Sequence, residues 1–181
     1  MSDSVWVVVL AEDQRHQRFV RRYLYRKGVS NHAIRMEPLP SGRGCGEQWV
    51  RERYSSQVQA CRRRSARAKT ALVVVIDADT GDVDWRLRQL RDAISQEGLA
   101  QRKEGEGIVH LIPRRNIETW ILCLSGRAVD EDTDYRCESG VDELIDDAAV
   151  AFFESSRINA TMPTYFVPSL LSAIPEVRRL D

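Results

Sequence analysis

Two aliphatic runs, each ending in acid, constrain this chain more than anything else in it. The first is Val5-Trp6-Val7-Val8-Val9-Leu10, followed by Ala11-Glu12-Asp13. The second is Leu72-Val73-Val74-Val75-Ile76, followed by Asp77-Ala78-Asp79. Runs this dense in β-branched residues fit strands buried on both faces, as in a parallel sheet. A buried carboxylate without a partner is expensive, so the acids belong where each strand opens to solvent. In open α/β sheets that opening, at the carboxyl ends of the strands, is where ligands bind. Hard oxygen ligands suit Mg²⁺ or Mn²⁺, which makes Asp77 and Asp79 the first candidates for a cation site. The plain alternative is that one of them caps the next helix while the other is solvated.

The rest of the chain alternates helix and strand around these runs. Asp13 can cap a helix running to about Lys27, with Phe19, Val20, Tyr23 and Leu24 on one face and Gly28 at its end. Residues 33–39 alternate like a half-exposed strand near an edge, where Pro38 is tolerated. Residues 40–46 form a glycine-rich loop whose spacing matches neither a Walker loop nor a dinucleotide fingerprint. It reads as a plain loop, and Arg43 between its glycines keeps phosphate contact in view. A long basic helix follows from about Glu47 to Ala68, with Arg51, Arg62 and Arg63 among its cations. Its apolar side can pack on the sheet while the other side meets a polyanion or simply water.

Beyond the second run, Asp84-Trp85 opens an amphipathic helix ending at Gly98, and residues 107–112 form a further short strand. Pro113-Arg114-Arg115-Asn116 then leads into a helix capped by Asn116, with Glu118 in its first turn. An acidic, turn-rich loop spans residues 127–140, without the ligand spacing of an EF-hand. Residues 141–156 read as a helix. The tail carries Pro163, Pro168 and Pro175, so it holds at most short helices packed back on the core. The order β-α-β-α-β-α-β implies a mostly parallel sheet with right-handed crossovers.

Composition excludes some functions. The net charge of +0 provides no global field toward nucleic acid, although nearly all the positive charge is arginine, with lysine only at Lys27, Lys69 and Lys103. Cys45, Cys61, Cys123 and Cys137 form no Cys-x-x-Cys pair, and His16, His32 and His110 show no ligand spacing, so no zinc site is expected. With no leader pattern and no membrane-length apolar run, the expected setting is cytoplasmic, with no membrane partner.

Glu12 after the first strand and Asp77-Ala78-Asp79 after the third resemble the signature of the Toprim domain. That domain is shared by type IA and II topoisomerases, primases, recombination-repair proteins and overcoming-lysogenization-defect nucleases. The segment around Glu118-Thr119-Trp120 is similar to the Glu-x-Trp helix of small stand-alone Toprim-like proteins, often found beside bacterial genome-defence genes. The resemblance covers roughly residues 4–124. It implies that Glu12, Asp77 and Asp79 hold Mg²⁺ (or Mn²⁺) for phosphoryl transfer, with Asp82 or Glu118 completing the site. Arg43, Arg51, Arg62, Arg63, Arg114 and Arg115 are the candidate contacts to nucleic acid.

The expectation is therefore an α/β fold with a small, mostly parallel four-stranded sheet flanked by helices, residues 1–126 forming the core and 127–181 a helical extension. The expected activity is Mg²⁺-dependent cleavage of phosphodiester bonds in DNA or RNA, in phage defence or repair, with a separate ATPase or other defence protein as partner. The alternative is a non-catalytic metal- or nucleic-acid-binding subunit of a larger complex. A small-molecule phosphotransferase or nucleotide-binding domain is argued against by the glycine loop.

Overall fold

The computed structural model describes residues 5–42 and 46–181. Both aliphatic runs are central strands, β1 (Trp6–Ala11) and β3 (Thr70–Val75), paired in parallel from Trp6↔Thr70 to Ala11↔Val75. Short strands flank them: β2 (Ile34–Met36) beside β1, and β4 (Ile108–Leu111) beside β3. The sheet is all-parallel, in the order β2-β1-β3-β4. The fold class is the α/β arrangement expected from the alternation of elements.

Side chains of a strand alternate between faces, and both faces here are apolar, so two cores form. Val7, Val9, Val73, Val75, Val109 and Leu111 face helices α1 (Gln14–Arg26), α4 (Ile117–Leu124), α5 (Val141–Ser156) and α6 (Pro168–Val177). Val8, Leu10, Leu72, Val74 and Ile108 face α2 (Gly46–Ser65) and α3 (Val83–Gln96). Trp120 on α4 is fully buried, packs against Phe152 of α5 and donates its indole N–H to Ser169 of α6 at 2.7 Å. The C-terminal helices thus share the core of the sheet. α6 is a fuller helix than three prolines suggest. Pro168 sits in its first turn, where no N–H is needed, and buried Glu131 accepts from Ser169 N–H at 2.9 Å.

The outer edge of β4 is closed by an ion pair rather than by a strand. Glu176 accepts the His110 N–H at 2.9 Å, Arg102 donates to the Ile108 carbonyl at 2.9 Å, and Arg102 and Glu176 form two bonds at 2.5 and 3.1 Å. This satisfies the backbone groups an edge strand leaves open.

His110 itself is buried, with Tyr54 Oη 2.8 Å from its Nε2. Burial, aided by the nearby Arg102 charge, pushes its pKa down to about 3 from 6.5. A depressed histidine value means that the unfolded chain takes up the proton first. Its contribution to stability is whole above pH 6.5 and is lost as pH falls toward 3. The expected slope is about 1.4 kcal/mol per pH unit in that window. His110→Gln should flatten the pH dependence of urea unfolding between pH 6 and 4. An unchanged slope would remove His110 as its source.

Candidate functional site

The chain leaves β1 toward β2 on one side of the sheet and β3 toward β4 on the other. The crevice at this reversal of strand order lies beyond the carboxyl ends of β1 and β3, which is where such sheets bind ligands. Glu12 and Asp77 emerge side by side there, and the Glu12 carboxylate accepts the Asp77 N–H at 2.6 Å. Gly46, opening α2, approaches closely enough that a Cβ would lie 2.7 Å from the Glu12 carbonyl oxygen. A side chain at position 46 would therefore displace the acid.

His16 organises the floor of the site. It is buried one turn into α1, with Nδ1 2.8 Å from Asp13 Oδ1 and Nε2 3.0 Å from Asp77 Oδ1. Burial alone would lower its pKa, but the charges of Asp77 and Asp13 outweigh it and hold the imidazole well above its ordinary value. Asp13 also caps α1, accepting the His16 N–H at 3.1 Å. Burial acts against its charge as well, yet the bonds from His16 hold its carboxyl below the usual range. Sequence reading missed His16, because its pairing with Asp77 spans the sheet. Its spacing of three from a helix-capping acid was the available signal.

Burial and the neighbouring Asp77 charge push the Glu12 carboxyl up to about 8, while His16 pulls the other way. Asp77 is likewise raised by burial, opposed by His16. Burial is thus the main reason that both carboxyls hold a proton more readily than an exposed acid does.

Asp79 sits in a turn closed by the Gly81 N–H to the Ala78 carbonyl, and it is the only non-glycine at positive φ, +55°, among the described residues. Aspartate is among the few side chains that adopt this left-handed backbone in turns. Its carboxylate is paired with Arg136 from the acidic loop, and its carbonyl accepts from Arg115 at 3.2 Å. Glu118 is buried and accepts from Arg15 at 2.6 Å, with Arg15 also on Asp142 at 2.7 Å. Arg86, fully buried behind the site, donates to the Asp77 carbonyl at 2.9 Å and pairs with Glu47.

Two expected roles fall elsewhere. Asp82 is the N-cap of α3, accepting the Trp85 N–H at 2.6 Å. Arg62 is held by Glu106 at 2.8 and 3.0 Å, at the opposite pole of the sheet, where β3 begins. Exposed Arg63 is beside it, and Arg51 is paired with Glu47 at 3.2 Å near the start of the same helix. Arg114 and Arg115 do border the crevice, held by Asp132 at 2.8 Å and Asp134 at 3.5 Å. Arg43 and Cys45 lie outside the described residues.

Among the described residues, no group of three or more His, Cys, Asp or Glu side chains is placed to hold a metal ion. The donors Glu12, Asp77 and Asp79 fit a hard cation in kind, but Asp79 is occupied by Arg136. Arg136→Ala should tighten Mn²⁺ binding about tenfold, some 1.4 kcal/mol. The lost pair is half-exposed, so the stability cost should stay below about 1 kcal/mol. Calorimetric titration checks this, and unchanged affinity would remove Arg136 as the competitor.

No protein-family model, no curated protein and no solved structure matches this chain. No helix among the described residues is long and apolar enough to cross a membrane.

Proposed function

We propose that this protein cleaves phosphodiester bonds in nucleic acid, as a Toprim-like enzyme working with Mg²⁺ or Mn²⁺. The observation that carries the reading is the Glu12–Asp77 pair at the crevice beyond the strand-order reversal, with Asp79 on the turn that follows and the Glu12 carboxyl pushed up to about 8. Glu12, Asp77 and Asp79 would hold the cation. When bound, it supplies Lewis-acid stabilisation of the charge that develops on a phosphoryl group.

The chain's own residues do the rest. His16 keeps Asp77 oriented toward the crevice. The Gly46 approach and the Asp77 N–H fix Glu12. Arg114 and Arg115, now on Asp132 and Asp134, are positioned to take phosphate oxygens in place of those carboxylates. Glu118 anchors Arg15, and with it the junction of α1, α4 and α5 beside the site.

One observation favours a second reading, a non-catalytic subunit of a defence or repair assembly. Asp77, Asp79 and Glu118 each already have a cationic side chain as partner. The two readings separate in one assay. Single- and double-stranded DNA and RNA are incubated with the protein in Mg²⁺, in Mn²⁺ and in EDTA, with cation binding followed in parallel. Cleavage in either metal and none in EDTA is the expected result. Cation binding with every substrate left whole would overturn the enzyme and leave the subunit.

A further inference from the structure

Beside the acidic crevice lies a hollow of about 460 Å³, lined by Thr80, Gly81, Asp82, Trp85, Arg88 and Arg114. Its floor is an aromatic ring. Trp85, in the first turn of α3, is 38% exposed although it is among the largest apolar side chains in the protein. The indole lies against the turn that follows Asp79, and a Cβ on Gly81 would fall 2.3 Å from Trp85 Cε3. Only glycine lets the ring rest there. The guanidinium of Arg86 stands 4.8 Å from the ring centroid and is itself fully buried, while the part of the indole left open lines the hollow.

The walls are cationic. Arg88 is exposed and carries no ion pair or hydrogen bond among the described residues. Among the described residues Arg114 is met only by Asp132, a carboxylate 81% exposed to water. The single acid in the lining, Asp82, is engaged in capping α3. A partly exposed indole beside one free guanidinium and one held only by a solvated carboxylate is the chemistry that receives a nucleobase with its flanking phosphates. Stacking accepts any base, and arginine takes the backbone.

We infer that the Trp85–Arg88–Arg114 hollow seats one unpaired nucleotide of a single strand, stacked on Trp85 and held through its phosphates by Arg88 and Arg114. Thr80 and Gly81 follow Asp79 directly, and Arg115 beside Arg114 bonds the Asp79 carbonyl. The seat therefore adjoins the carboxylates, and the strand it holds continues toward them. A duplex, whose bases are already stacked on one another, offers no free base face for it. The seat gives the proposed enzyme a single-stranded substrate, and in that respect rests on the phosphodiester reading.

The test is independent of cleavage. Binding of a fluorescein-labelled dT12 oligomer is followed by anisotropy in EDTA, with dTMP and a duplex of equal length as competitors. Trp85→Ala should weaken binding tenfold or more, while Trp85→Phe keeps most of it. Arg88→Ala, a change at an unpartnered surface side chain that leaves folding alone, should weaken binding and reduce its salt dependence. Unchanged affinity in both Trp85→Ala and Arg88→Ala overturns the seat. Competition by dTMP or duplex as strong as that of the single strand also overturns it. If wild type binds the oligomer in this way yet never cleaves it with metal, the seat stands and the enzyme reading falls.

Discussion

Replacing Arg86 with methionine is expected to lower the unfolding free energy by about 3–5 kcal/mol, the cost of removing one partner of a buried ion pair. Methionine keeps most of the apolar stem and removes the charge, so packing changes little. What is lost is the set of bonds to the Asp77 carbonyl at 2.9 Å, to Gln89 at 2.5 Å and to Glu47. Glu47 keeps Arg51 and has a quarter of its side chain in water, which places the effect toward the lower end. Because Arg86 fixes the backbone of Asp77 from behind, the variant should also bind Mn²⁺ more weakly. Urea unfolding gives the first quantity and calorimetry the second. A midpoint equal to wild type would show the guanidinium to be merely accommodated.

The double change Asp77→Asn, Asp79→Asn is expected to abolish metal-dependent cleavage, by a factor of about 10³ or more, while the fold survives. A cation contributes several kcal/mol to the charged transition state of phosphoryl transfer, and each 1.36 kcal/mol is tenfold in rate. Asparagine suits both positions structurally. At 77 its amide oxygen can still meet His16 Nε2, and at 79 asparagine tolerates the left-handed backbone better than alanine does. Removing the Asp77 charge takes away the second of the influences that raise the Glu12 carboxyl and leaves burial, the largest, in place. The thermal melt should stay cooperative but fall, because buried His16 keeps only Asp13 as a charged partner, and its response to Mn²⁺ should be gone. Retained cleavage in this variant would show that the two aspartates are not the ligands.

Local chemistry carried much of the fold. The β-branched runs became β1 and β3, Asp13 and Asn116 became the caps of α1 and α4, and the helix read over residues 141–156 became α5. Each follows from interactions within a few residues. What the sequence concealed depends on partners far along the chain. The His16–Asp77 bond joins residues 61 apart, and the Arg136–Asp79 pair joins residues 57 apart. Arg86 lies on the amphipathic helix α3 with nothing in its local sequence to set it apart, yet it is buried beneath the site. The arginines of α2 looked like one nucleic-acid face. The 20 residues of that helix, about 30 Å in length, instead carry Arg51 and Arg62 to opposite poles of the sheet. The acids were legible because each ends an aliphatic run, although Asp77 proves to be buried there against His16 rather than open to solvent. Their neutralising partners were not, since any arginine on an adjacent element could have served.

The Arg102–Glu176 clasp over β4 has a consequence for assembly. Strand addition, the commonest way for an extended peptide to join a sheet, needs a row of open N–H and C=O groups. On β4 the clasp already occupies the His110 N–H and the Ile108 carbonyl, and at the other edge β2 is only three residues long. The β4 edge is therefore closed to strand addition, and what remains open there is the surface of helices and loops. A partner's grip there comes from side chains, which individual substitutions can tune, and the sheet that carries the carboxylates is left undisturbed.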